Sequence, residues 1–217
     1  MQITIREPGS AITHYIGMVL SLFAAAPLLV LAYISNISYA VAAMFIFTFA
    51  ITGLYLASTL YHTVNVKEKF LFLFKKIDHM MIFVLIAGTY TPICLLVLKG
   101  RMGITLLIVI WGLAILGMTL KAFWVTCPRW FSSIIYIAMG WACLAVFPAL
   151  YDSLPTSGFY WLLAGGIAYT VGGIIYAMKF KKLNQRFKYF GSHEIFHLFV
   201  MLGSFCHFAT MFTVLMA

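Results

Sequence analysis

The sequence predicts an all-α polytopic membrane protein, a bundle of seven transmembrane helices with a cytoplasmic N-terminus. Three observations carry this expectation. Of 217 residues, 64% are hydrophobic and 9% charged, with a mean hydropathy of +1.04, whereas soluble domains average about half apolar and a quarter charged. Seven stretches each reach the roughly 20 mostly apolar residues that a bilayer crossing needs. Twelve of the 14 Lys and Arg residues fall on one side of the topology those stretches define.

The first stretch, about 11–34, follows Arg6 and Glu7 and is longer than the apolar core of a signal peptide, so it reads as an uncleaved helix. Asn36 and Ser38 separate it from the second, about 38–63. A loop at 64–76 carries Lys67, Lys69, Lys75 and Lys76 and leads to the third, about 77–98. Gly100 to Gly103 divide that stretch from the fourth, about 102–124, and Cys127-Pro128 introduces the fifth, about 130–150. The run from Asp152 to Gly158, with Pro155, precedes the sixth, about 159–180. There Gly165, Gly166, Gly172 and Gly173 suit close helix–helix approach. A second basic loop, 179–190, holds Lys179, Lys181, Lys182, Arg186 and Lys188 before the seventh stretch, about 191–216.

None of these links has room for a soluble domain, so residues 1–217 read as one membrane domain. With Arg6, Lys121 and Arg129 the two basic loops mark the cytoplasmic side; only Lys99 and Arg101 lie opposite, which puts the C-terminus outside. The excess of 14 basic over 5 acidic residues is thereby assigned to loops facing anionic headgroups, and no nucleic-acid partner is implied. Cys94, Cys127, Cys143 and Cys206 lack CxxC spacing and read as buried free thiols.

Ionisable side chains in hydrocarbon are costly and mark function. His62 ends the second stretch, Asp78 begins the third, and His193 and His197 open the seventh, all at the cytoplasmic side. His193 and His197 are four apart and share a helix face. Three imidazoles with a fourth position open are the catalytic pattern of Zn2+, and Asp78 is placed either to hold a water there or to complete the shell. Ser58, four residues before His62 and roughly 6 Å deeper, can meet the water or a substrate carbonyl. His79 points about 100° away from Asp78, which suits a supporting or packing role. His14 is an accessory candidate near the start of the first helix. His207 lies roughly 15 Å beyond His197 and belongs to packing or substrate lining.

His193 to His197 also reads HExxH, the metalloprotease helix with Glu194 as base. Residue 203 is Gly203 where a third histidine would stand, and no Asp or Glu follows Glu194, so the protease reading is set aside. The donor set suits zinc with an open position for water chemistry.

Three motifs in order, STLYH (Ser58 to His62), FKKIDH followed by AGTYTP (Phe74 to Pro92) and SHEIFH followed by CHF (Ser192 to Phe208), resemble the hemolysin III proteins. These are the bacterial branch of the progestin and adipoQ receptor family, which includes the adiponectin receptors and has alkaline ceramidases as relatives. The resemblance covers nearly the whole chain. It implies a seven-helix bundle in a bacterial inner membrane, with His62, His193 and His197 on zinc, Asp78 on its water, and Ser58 as the serine of an SxxxH motif. With the branch associated with haemolytic activity and membrane homeostasis, it implies zinc-assisted hydrolysis of an amide or ester bond in a membrane lipid, beside two other readings, a membrane-state sensor with structural zinc and cytolysis by pore formation. The sequence sets neither the lipid nor the oligomeric state. Glu194 stands where the receptors carry Gln, which leaves it as a supporting base or as an acid favoured by the helix dipole.

Overall fold

The computed structural model describes residues 5–98, 100–178, 180, 184–185 and 190–217. Among these there are eight α-helices and no strand: α1 Pro8–Ile34, α2 Ala40–Thr63, α3 Glu68–Pro92, α4 Arg101–Phe123, α5 Arg129–Gly140, α6 Phe147–Ser153, α7 Thr156–Met178 and α8 Ser192–Met216. A π-helical turn, Ile93–Val97, prolongs α3, and a 3₁₀ segment, Trp141–Val146, joins α5 to α6. Counting α5 to α6 as one crossing, seven helical spans are long and apolar enough to traverse a membrane, as expected.

Two boundaries differ from expectation. α3 begins at Glu68, nine residues before the expected start, so the link from α2 is only Val64 to Lys67. The lysines of 64–76 suggest a loop by their charge, but lysine is a good helix former, and Phe70, Phe72 and Leu73 between them continue an apolar stripe that is exposed. Asp78 therefore sits ten residues inside α3, roughly 15 Å from its start. The fifth span is not one regular helix to 150. It tightens at Trp141, and α6, with Pro148 in its first turn, runs on through Asp152 to Ser153. Lys99, Lys179, Lys181, Lys182, Arg186 and Lys188 lie outside the described residues.

Packing closes a ring. α1 packs on α2, α2 on α3, α3 on α5, α5 on α7, α7 on α8, and α8 returns to α1, while α4 covers the outside of α3. Small residues set the closest approaches. Gly88 of α3 rests on Ala50 of α2, and Gly117 of α4 lies over the Phe83 ring. A Cβ at Gly165 or Gly172 would fall 2.8 Å from His207 Nε2 or 2.9 Å from Phe199 Cβ, so α7 meets α8 through these two glycines. Gly173 instead faces Ile137 of α5, and a Cβ at Gly166 would meet only the Trp141 ring, at an ordinary 3.9 Å.

α3 is the most enclosed span, with 67% of its apolar window buried, against 17% for α1. The outer surface carries exposed Phe23, Val30, Ile108, Leu116 and Phe123. Unpartnered apolar side chains all round the bundle are what a lipid-facing surface requires and what water would penalise.

Candidate metal centre

Two helices bring His62, His193 and His197 together. The last turn of α2 supplies His62, and the first two turns of α8 supply the other two at i and i+4. One ring nitrogen from each lies within 4.8 Å of the others. His62 Nε2 and His193 Nε2 are 3.3 Å apart, close to the roughly 3.3–3.4 Å edge of a tetrahedron with zinc–nitrogen bonds of about 2.0–2.1 Å. His62 and His197 are 2% and 1% exposed, so these nitrogens have little water to satisfy them.

The other side of each ring decides which nitrogen is free. Glu7, the residue before α1, takes the Nδ1–H of His62 on Oε2. That bond leaves the His62 Nε2 lone pair facing inward. Glu7 is held in turn by Arg6 at 3.2 Å, and its backbone N–H donates to the His62 carbonyl at 3.0 Å. Arg6 donates to the Tyr61 carbonyl at 2.6 Å and lies 4.3 Å over the Tyr61 ring. The His62 hydrogen bond holds the Glu7 carboxyl below the ordinary carboxylate range, overcoming its half-burial, with further help from Arg6.

Thr13 Oγ1 lies 3.0 Å from His197 Nδ1. Its own proton is directed to the Gly9 and Ser10 carbonyls, so it accepts from His197 and turns that Nε2 inward. His193 Nδ1 has no partner among the described residues. Two imidazole nitrogens facing each other at hydrogen-bond distance, one with its proton committed elsewhere, form a donor set that suits a borderline cation such as zinc.

The remaining expected residues fall around this group. Asp78 stands outside it, with Oδ2 3.4 Å from His79 Nδ1, and lines the adjoining cavities beside His193. Ser58 is buried and lines the apolar cavity with His197. His79 donates from Nδ1 to the Lys75 carbonyl at 2.9 Å, which leaves Nε2 to accept from Tyr176 at 3.5 Å. His14 stacks on His197 with ring centroids 3.5 Å apart and 7° between planes. His207 stacks on Tyr169 farther along the cavity.

Glu194 is committed to structure. Ser10 donates to its Oε1, and the Gly191 N–H donates to Oε2 at 2.7 Å, so it closes the first turn of α8 and ties it to α1.

Two cavities meet at this place, sharing Asp78, His79, Tyr176 and His193 in their walls. One is apolar and runs inside the ring from the histidines to Leu106, Leu150 and Phe159. Tyr176 and Phe159 are 17 residues apart on α7, which makes it roughly 25 Å long. The other is polar and opens at the ends of the helices, past Tyr61, Arg129 and Asn184.

Sequence reasoning did not find Glu7, Ser10 and Thr13. The available signal was the polar stripe on α1, where Ser10, His14 and Ser21 are all buried in an otherwise apolar helix.

Fold and site together define a seven-span helical membrane protein with a three-histidine centre at one end of the bundle. The chain belongs to the haemolysin III family: the family model described as haemolysin-III related matches residues 2–208. It is similar to Hemolysin-3 of Bacillus cereus, 41% identical over 210 residues, which covers 96% of this chain and 92% of that one. The Hemolysin-3 homolog of Bacillus subtilis is also 41% identical, over 202 residues covering 93% and 91%. The ADIPOR-like receptor IZH2 of Saccharomyces cerevisiae matches at 34% identity over 79 residues, 35% of this chain and 24% of that protein.

Proposed function

We propose that this protein is a zinc-dependent hydrolase of an amide or ester bond in a membrane lipid, acting at the cytoplasmic end of the bundle. The observation that carries the reading is the placement of three converging imidazoles where a long apolar cavity meets a polar one. His62, His193 and His197 would hold the zinc. When bound, zinc supplies Lewis acidity toward a carbonyl oxygen and acidifies water in its reach.

The chain's own residues do the rest. The apolar cavity takes the acyl chain; its length of roughly 25 Å accommodates an extended chain of about 16–18 carbons. The carbonyl at the end of that chain then lies among Ser58, Asp78 and His193, which all line the cavity. Asp78 orients the attacking water and takes its proton, and Ser58 donates to the carbonyl oxygen.

The basic residues near the site support a cytoplasmic N-terminus, and the basic loops meet anionic headgroups. Among the described residues, the apolar lining beyond Ile82 and Ile86 offers no row of charges for conduction, so any haemolysis is ascribed to lipid hydrolysis.

The test is zinc content by plasma mass spectrometry on detergent-purified protein, wild type beside H193A/H197A, followed by a lipid-hydrolysis screen. About one zinc per chain, lost in the variant, with release of fatty acid from some lipid class, is expected. Wild type without metal overturns the reading. Zinc without turnover on any amide or ester lipid moves it to a sensor with structural zinc.

A further inference from the structure

We infer that the substrate carries an anionic head on the leaving-group side of the scissile bond, bound by Lys75 and Arg129 in the polar cavity. This rests on the hydrolase reading and names the substrate class for it. Both side chains line that cavity together with Asp78 and His193.

Three carboxylates also line it, and their oxygens are engaged with groups other than Lys75 and Arg129. Glu7 is bound to Arg6 and His62, and both oxygens of Glu194 are taken by Ser10 and the Gly191 N–H at the start of α8. Asp78 faces His79 and lies beside the histidine centre. The chain has only five acidic residues, all of them described, and none forms an ion pair with Lys75 or Arg129. The cavity thus holds two cations, Lys75 and Arg129, that no carboxylate pairs.

Arg129, an exposed residue, folds over Tyr176. Its guanidinium lies 5.2 Å over the Tyr176 ring, and that ring lies 6.0 Å from the His193 ring. The cation is therefore within the two spacings together, about 11 Å, of the imidazole where the carbonyl would sit. Folded over Tyr176, it sets a short reach between scissile bond and negative charge, suited to an N-acyl amino acid analogue or a single-chain phospholipid.

A matched pair of probes tests this. N-lauroyltaurine and lauroyl ethanolamide share chain, amide and two-carbon spacer, and differ in a terminal sulfonate against a hydroxyl; sulfonate is also a poor zinc ligand. Equilibrium binding is measured to wild-type protein in phosphatidylcholine nanodiscs, with empty discs subtracted. Zinc content is measured on the same preparation. The taurine amide is expected to bind about 10-fold tighter, the worth of one to two charge-assisted hydrogen bonds.

K75Q/R129Q should bring the two probes to within about 2-fold while leaving ethanolamide binding as in wild type, which also shows that the variant is folded. The single variants R129Q and K75Q should each give part of the loss. K67Q/K69Q, outside the cavity, should leave the preference intact. N-acetyltaurine should fail to compete, which distinguishes an amphiphile site from one for free anions.

Equal affinity of the two probes for wild type, or a preference that survives K75Q/R129Q, overturns the inference. Zinc-free wild type that still prefers the sulfonate would remove the hydrolase and keep the anionic-head site.

Discussion

At the residue scale, each histidine of the centre has one nitrogen directed inward and its other edge governed by a different surrounding. His62 is backed by a carboxylate, His197 by a threonine hydroxyl, and His193 by no described side chain. Partners of this kind fix ring orientation and basicity, and their loss costs about 10–100-fold in metal affinity. E7Q is accordingly expected to weaken zinc binding by about that factor in a chelator competition, with the unfolding midpoint of the metal-free protein unchanged. D78N should do the reverse: keep one zinc per chain and lower turnover by roughly 10²–10⁴-fold, the usual worth of a general base. The histidines were legible in the sequence because ionisable groups stand out in hydrocarbon and i, i+4 spacing declares a shared face. Glu7 was not, because a charge just ahead of an apolar helix looks like an ordinary membrane flank; only the return of α2 beside α1 makes it a partner of His62. For Glu194 the structure shows a cap through Oε2, with Oε1 tied to Ser10 of α1. E194A should cost about 1 kcal/mol of helix stability in thermal unfolding.

At the scale of elements, glycines facing side chains of the neighbouring helix set the closest contacts. The apolar spans were visible as runs of hydrophobic residues, and their number followed from run length alone. Where they begin was less visible: the lysines between 64 and 76 look like a loop by charge, yet they extend α3 by nine residues and carry Asp78 from a helix start to its third turn. The tightening at Trp141–Val146 was marked only by Pro148, which lacks the N–H a regular helix would donate to Leu144, since its own residues are as apolar as the helix around them. Gly117 illustrates how closely the elements fit. Phe83 occupies the space a side chain there would need, and Phe83 is fully buried. G117L should therefore drive α4 away from α3 and destabilise the bundle by roughly 1–3 kcal/mol, read as a lower unfolding midpoint.

At the scale of the whole molecule, the ring of α1, α2, α3, α5, α7 and α8 encloses an apolar passage that ends at a polar chamber, and charge is gathered at that end. If the chamber faces the cytoplasm, alkaline phosphatase fused after Ala217 should be active and a fluorescent protein at the same position dark; the opposite pattern would invert the bundle. Arg6 and Glu7, lying along the end of α2, give the margin of the chain a hold on its centre. The two residues ahead of Pro8 cross no membrane and add little to the core, yet they reach the centre through the His62 ring. Cleavage between Glu7 and Pro8 would leave every span in place and release the His62 ring from its carboxylate.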